Sequence, residues 1–416
     1  MEVIDAGLQA INTEAVIKSQ VSFDSHSNVL KIKDRTYTLS PTAKLVVVAI
    51  GKCANDAAFA LESILGERIT SGVAIDIFCD ERLKRIKSCE GDHPFPSERN
   101  IDATAQLIRE LEGLSADDFV LAVISGGGST LLCQPNNFTC IQEADLLKQL
   151  FKQGAAIGQI NTVRKHLSLA RGGHLARYAY PARVVGLIFS DVPGDDLTSI
   201  ASGPTVLDTS TKLDSAAVLD KYNVGGGLAN FSSEHLLETP KEQKYFAKVE
   251  NILLVSNTRA LEAMAAVGAK HGYKTESCST CLTGEARQVG VQIAEAINTA
   301  ASGSLMLYGG ETTVVVRGNG RGGRNQELAL AALQIIADDA LVVSFASDGV
   351  DNSNHAGGVS DIITKHKVTE LGLDPQSFLD ANNSYDFFNQ TGDYILSGPT
   401  GSNVSDLMFA IKEKVK

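Results

Sequence analysis

Residues 44–50 read KLVVVAI and run directly into Gly51-Lys52-Cys53-Ala54-Asn55. An unbroken apolar run of this length, rich in β-branched residues and closed by glycine, reads as a strand covered on both faces. A helical pattern opens near Asn55. Strand, tight turn and helix in that order are the repeating unit of a parallel sheet with crossover helices. Similar Val- and Ile-rich runs recur at 72–78, 119–124 and 183–189. The pattern restarts with runs at 251–255, 305–308, 312–316 and 341–345. The expected fold class is α/β, with two α/β domains.

A chain of 416 residues exceeds what one hydrophobic core usually organises, which also favours two domains. Between the two sets of runs lies 221–243, with Gly225, Gly226 and Gly227 followed by a polar, acidic segment. The expected boundary falls near residue 235, giving domains 1–235 and 236–416. A short N-terminal helix could instead pack on the second domain and make that domain discontinuous. ISGGGS, SDVPGDD and SGPT in the first half are echoed by YGGETT, SDGVDN and SGPT in the second. These short words fit either an internal duplication or independent α/β loops.

The formal net charge of -12 argues against nucleic acid or an anionic membrane as the main partner, because both are bound through positive surface fields. No apolar run approaches the roughly 20 residues of a membrane span, and no leader-like segment opens the chain. Seven cysteines scattered through a long chain fit a reducing compartment, so a cytoplasmic protein is expected. The one tight pair, Cys278 and Cys281, lacks a second pair or nearby histidines and is assigned no site.

Glycine, serine and acidic residues gather where the strands end, the edge at which open α/β sheets bind ligands. Ser125, Gly126, Gly127, Gly128 and Ser129 follow one strand, and consecutive glycines let backbone N–H groups converge on a phosphate. The same glycines would also serve a plain tight turn. Lys52 follows another strand and could neutralise phosphoryl oxygens, or simply be solvated beside a helix cap. No Walker A sequence is present, since position 46 is valine.

A helix beginning at 161 and running at least to 170 would place Arg164, Ser168 and Arg171 on one face, presenting two guanidiniums to a carboxylate or phosphate. Asp191 follows the strand at 183–189 and could ligate Mg²⁺ or accept a hydroxyl proton. Asp195 and Asp196 read better as turn and cap residues. In the second half Glu311, Asp348 and Asp351 are further metal or substrate candidates. The stretch 314–327, VVVRGNGRGGRNQE, holds Gly318, Gly320 and Gly323 at the GxGxxG spacing of a dinucleotide turn. Arg317, Arg321 and Arg324 crowd the same turn and suit an anion clamp instead.

Taken together and in order, these words resemble the class II glycerate kinases, whose C-terminal half is the MOFRL domain. The resemblance rests on GK at Gly51, DHPFPSERN at Asp92, ISGGGST at Ile124, INTVRKHLSLARGG at Ile160, SDVPGDDLTSIASGPT at Ser190, LTGEAR at Leu282, GGETTVVVRGNGRGGRNQELAL at Gly309, SDGVDN at Ser347 and SGPTGSNVSDL at Ser397. It covers nearly the whole chain from about residue 40. Departures are modest: Asp92 stands in the family's usual GHP word, and Cys53 follows the lysine where a small residue such as alanine is common.

The resemblance implies a Rossmann-like N-terminal parallel-sheet domain and a C-terminal MOFRL α/β domain, with the active site in the cleft between them. It implies ATP-dependent, Mg²⁺-dependent phosphorylation of D-glycerate to 2-phosphoglycerate by a monomer or homodimer. The family's proposed catalytic lysine and arginine match Lys52 and Arg324. Within that frame Asp191 would assist the attacking hydroxyl, Ser125–Ser129 would hold the nucleotide, and Arg164 or Arg317 would take the substrate carboxylate. Asp191, Glu311 and Asp348 are the metal candidates, and cleft closure on substrates is expected. Two alternatives remain: an NAD(P)-dependent hydroxypyruvate reductase, supported only by the GxGxxG spacing, and a non-catalytic anion- or nucleotide-binding protein.

Overall fold

A computed structural model describes residues 1–137, 139–224 and 233–415. Gly225, Gly226 and Gly227, read above as part of a boundary, lie outside the described residues. The chain forms two compact units, one of 13–189 and 195–254, the other of 1–12, 190–194 and 255–416. These compact units meet at 254/255 with two short segments exchanged, while the division expected from sequence lies at residue 235.

The unit of 13–189 and 195–254 opens with an antiparallel three-stranded sheet, β1 (Val21–Asp24), β2 (Val29–Ile32) and β3 (Arg35–Thr38). Its main sheet contains β4 (Leu45–Ile50), β5 (Ser71–Asp76), β6 (Lys87–Glu90), β7 (Phe119–Ile124), β8 (Arg183–Phe189) and β9 (Val249–Val255). The strand order is β6-β5-β4-β7-β8-β9, and the β5–β6, β4–β5, β4–β7 and β7–β8 pairs are parallel. This is the doubly wound Rossmann order, in which the winding reverses between the first and fourth strands, here β4 and β7. Every residue of both is buried, so KLVVVAI is continuous because helices cover both its faces. The run at 251–255, read as the start of the second half, is the last strand of this first sheet.

The other unit carries a six-stranded mixed sheet: β10 (Lys274–Leu282), β11 (Ser304–Gly310), β12 (Ala340–Ala346), β13 (Gly357–Ser360), β14 (Tyr394–Ile395) and β15 (Asp406–Lys412), in the order β10-β11-β15-β12-β13-β14. Only β10 and β11 pair in parallel; β15 enters antiparallel between β11 and β12. The first architecture is therefore not repeated. Helices Ala286–Thr299 and Arg324–Leu333 cover the sheet through Ile293, Ile297, Leu328 and Ala332, which pack with Val342 and Met408. The N-terminal helix Glu2–Ala10 belongs here, packing through Gly7 against Met264 of the helix Asn257–Lys270. The expected strand at 312–316 is absent. Thr313 makes a single bridge to Glu285, and Val315 and Val316 are exposed. A β-branched run reads as a strand from its residue types alone, yet among the described residues no strand pairs with this one to complete a ladder.

Candidate functional site

In the Rossmann-order unit the turns after β4 and β7 sit at the reversal point and are laced together. Lys52 N–H donates to the Gly126 carbonyl at 2.9 Å, and Ser125 N–H and Oγ donate to the Ile50 carbonyl at 2.9 and 3.1 Å. Gly51 adopts φ +116°, and a Cβ there would lie 2.1 Å from Ser125 Oγ, so only glycine lets the turns approach this closely. Gly127 lies beside the Lys52 side chain and the His93 ring. Ser125 is buried and bonded inward, which makes it a brace of the turn. Among the described residues, the N–H groups of Gly126 and Gly127 have no acceptor, leaving two donors beside Lys52.

Around these turns the backbone is tightly determined. Asn100 accepts from the N–H groups of Asp92 and Ser97 at 2.9 and 3.0 Å and donates to the carbonyls of Asp92 and Thr130, tying the DHPFPS loop to SGGGST. Ala201 and Ser202 both take left-handed conformations, φ 49° and 58°, which cost about 1–2 kcal/mol each for non-glycine residues. Ala201 packs on Gly128, Ser202 shares a hydroxyl contact with Ser129 at 3.0 Å, and the Ser202 carbonyl accepts from Gly172 N–H.

The helix bearing Arg164 runs from Ile157 to His166 and stops short of the expected length. Ser168 is buried after it, its hydroxyl accepting from Ala170 and Arg171 N–H groups, so a capping turn replaces the expected helical face. Arg164 and Arg171 nevertheless line one cavity, of about 90 Å³, together with Ser129 and Thr130. Arg171 is fully buried and donates to Glu143 at 2.5 Å. Burial, and then the neighbouring Arg171 charge, lowers the Arg164 pKa to about 10.

In the mixed-sheet unit, Arg324 begins the helix Arg324–Leu333, and its guanidinium is gripped by Asp406. Nε donates to Oδ2 at 2.6 Å and Nη2 to Oδ1 at 3.0 Å, while Glu311 lies 3.1 Å from Nη1. Asp406 also accepts from Asn325 at 2.8 Å. Burial raises the Asp406 pKa to about 7 against the opposing pull of Arg324. Burial lowers the Arg324 pKa, but Asp406 outweighs it and the net shift is upward. Asp351 caps this helix, accepting from Asn325 and Gln326 N–H groups at 3.2 and 2.9 Å, which makes it a structural residue.

The GxGxxG glycines face protein. Cβ atoms at Gly318 and Gly320 would lie 2.4 and 2.5 Å from the Ala381 carbonyl oxygen, and one at Gly323 would lie 2.2 Å from Asp351 Cγ. Asn382 Oδ1 accepts from Arg317 and Gly318 N–H groups at 2.6 and 2.9 Å and fixes the turn, while Asn382 itself donates to buried Glu327 at 3.0 Å. Arg317 points to the surface and pairs with Glu285 at 2.9 Å, and Arg321 stacks over Tyr385 at 4.0 Å.

Asp191 and Asp348 belong to loops joined through Ser405. The Ser405 hydroxyl donates to the Asp191 carbonyl, and Ser347 N–H donates to the Ser405 carbonyl at 3.2 Å. Asp348 accepts from Val350 N–H at 3.0 Å. Glu311 instead sides with Arg324. Among the described residues no three acidic, histidine or cysteine side chains gather as a metal-ligand set, so the three metal candidates do not build a cage. Asp196 accepts from Thr198 and Ser199, the capping part expected of it. Asp406, Asn382 and Asn100 carry the geometry but were not singled out from sequence. No local sequence signal marks them, since each acts on a partner distant along the chain.

Residues 1–237 match a family model described as a domain of unknown function, DUF4147, and residues 304–406 match the MOFRL family. A protein named "Glycerate 2-kinase" from Pyrococcus horikoshii is 35% identical, over 99% of this chain and 98% of that protein. A protein named "Putative hydroxypyruvate reductase" from Agrobacterium vitis is 36% identical over 88% of this chain and 87% of its own. The crystal structure of a glycerate kinase from Thermotoga maritima superimposes with a TM-score of 0.85 at 32% identity, covering 99% and 98% of the two chains. The chain belongs to the class II glycerate kinases, the MOFRL family.

Proposed function

We propose that this chain is a glycerate 2-kinase, transferring the terminal phosphoryl group of ATP to the 2-hydroxyl of D-glycerate. The observation that carries this reading is the pair of laced turns at the β4/β7 reversal, where Lys52 stands beside the N–H groups of Gly126 and Gly127, which have no acceptor among the described residues. Those donors suit a nucleotide's phosphates, and the lysine's charge suits the oxygens of the transferred group. Two full-length relatives bearing kinase names support the same chemistry.

Phosphoryl transfer depends on alignment and charge neutralisation more than on covalent help. A bond forms from the 2-oxygen to phosphorus as the bond to the ADP oxygen breaks. Asp191 orients the hydroxyl and takes its proton, directly or through water. Arg324, prevented from swinging by Asp406, stabilises charge on the moving group. Arg164 receives the acceptor carboxylate; Arg317, already matched by Glu285, is the weaker candidate. Mg²⁺, when bound, would neutralise phosphate charge, held by the nucleotide's own oxygens with Asp191 or Asp348, as that ion commonly is.

The reductase reading draws on the names of two relatives, but its GxGxxG turn is filled by protein and follows no strand. Phosphorus NMR of the products from purified protein, ATP, Mg²⁺ and D-glycerate tests the proposal. Signals of ADP and 2-phosphoglycerate are expected. Absence of ADP with glycerate-dependent NAD(P)⁺ reduction would establish the reductase, and binding without turnover a sensor. All seven cysteines are free thiols, which supports a cytoplasmic location, and no described helix is long and apolar enough to cross a membrane.

A further inference from the structure

The cavity beside SGGGST holds an electrostatic imbalance. Among the described residues its wall carries Arg164, Arg171 and Lys148 against a single carboxylate, Glu143; Lys148 finds its own partner in Asp145 at 3.4 Å, which leaves the two guanidiniums to share Glu143. Glu143 is claimed by Arg171 at 2.5 Å, while the hydrogen bond of Arg164 among the described residues goes to the neutral Asn161 amide oxygen at 3.2 Å. Two guanidiniums to one carboxylate leave one uncompensated positive charge in a low-dielectric setting, which costs free energy unless an anion arrives. Arg171 is 1% exposed, yet its Nε–H has no acceptor among the described residues. A buried guanidinium N–H without a partner is rare and marks a place where a ligand atom completes the set.

We propose that Arg171, aimed by Glu143, acts with Arg164 as a two-guanidinium seat for the acceptor's carboxylate, and that this seat selects short hydroxy acids over neutral polyols. The inference rests on the kinase reading and adds to it a specificity-determining residue, Arg171, and a positioning residue, Glu143. The shared ligand chemistry is an anionic oxygen pair, which a carboxylate or a phosphate could supply. The carboxylate is favoured because phosphate donors of another kind, Lys52 and the Gly126 and Gly127 N–H groups, already stand at the neighbouring turn. The planar fork of a guanidinium also matches two coplanar oxygens. Phe95, Leu147 and Phe151 supply the cavity's apolar lining, Leu147 buried and the two phenylalanines half-exposed.

The decisive variant is Arg171→Met combined with Glu143→Gln. It removes the ion pair as a unit, keeps side-chain volume, and leaves the cavity's net charge unchanged, so no buried charge is stranded without its partner. Steady-state kinetics should show KM for D-glycerate raised about tenfold or more, with KM for ATP within about twofold of wild type. A rise confined to KM for ATP would assign the seat to a phosphate and overturn the carboxylate assignment, as would no change in either. The same variant is read by thermal unfolding with D-glycerate, D-lactate or glycerol and without nucleotide. Wild type should gain melting temperature from the two acids and none from glycerol, and the variant should lose that gain. Should wild type form no ADP, the kinase reading fails. The melting shifts then still decide the seat: acid-specific stabilisation lost in the variant supports it, and equal shifts in both proteins overturn it.

Discussion

Arg324 and Asp406 meet as a forked ion pair, Nε to Oδ2 at 2.6 Å and Nη2 to Oδ1 at 3.0 Å, with the carboxylate fully buried and the arginine side chain about one-third exposed. Only one end of the pair can reach a ligand. Asp406 therefore orients Arg324 and spends its second hydrogen-bonding capacity on Asn325. Arg324→Ala is expected to lower kcat about 10²–10³-fold, the usual cost of losing one group aimed at developing charge. Asp406→Asn, which keeps the shape and loosens the grip, should lower kcat about tenfold while KM for ATP holds. Equal turnover by all three proteins would remove Arg324 from the mechanism.

The same pair sets opposed pH dependences. The folded-state pKa of Asp406 is pushed up to about 7, chiefly by burial, whereas an unfolded aspartate titrates near 4. The folded state thus binds this proton more tightly, and the residue's contribution to stability falls as pH rises from about 4 to about 7. Activity runs the other way, since protonation below about 7 weakens the hold on Arg324. Urea unfolding at pH 5 and pH 8 should show wild type losing stability relative to Asp406→Asn, while the acid limb of the wild-type kcat profile flattens in the variant.

Lys52→Met should keep the fold, because the lysine's backbone makes the bond that joins the two turns. Turnover should fall about 10²-fold or more through loss of the ammonium alone. Circular dichroism and steady-state rates on one preparation check both halves of this expectation.

Gly323→Ala separates packing from cofactor binding. The new methyl would fall 2.2 Å from Asp351 Cγ and 2.3 Å from its carbonyl oxygen, so stability should drop by ~3 kcal/mol. Gly158→Ala meets nothing within 4 Å in an ordinary helix and should gain ~0.5–1 kcal/mol. Denaturant midpoints report both, and an unchanged midpoint for Gly323→Ala would contradict the packing account.

Legibility followed burial. Strands β4, β7 and β8 were readable almost to the residue because both faces are covered and the apolar run is unbroken. Strand β10, KTESCSTCL, escaped because most of its residues are exposed or half-buried and polar. The helix at Arg164 ended early because Ser168 satisfies the next turn's N–H groups, a local bond that periodicity does not report. Lys52 and Arg324 were visible as charges beside glycines. Asp406 was not, since an acid within an apolar strand, DLMFAIK, declares its role only once its arginine is found 82 residues away.

The N-terminal helix has a consequence for how the protein is made. Glu2–Ala10 packs on the helix at Asn257–Lys270, and the carbonyl of Ile11 accepts from Ser402, 391 residues further on. A segment synthesised early must therefore stay unengaged on the ribosome until its partners emerge, about half a minute later at ordinary elongation rates. Meanwhile the chain between can wind its own parallel sheet. The mixed-sheet unit is completed after synthesis, and a fragment starting at residue 255 would leave the face that Gly7 covers open to solvent.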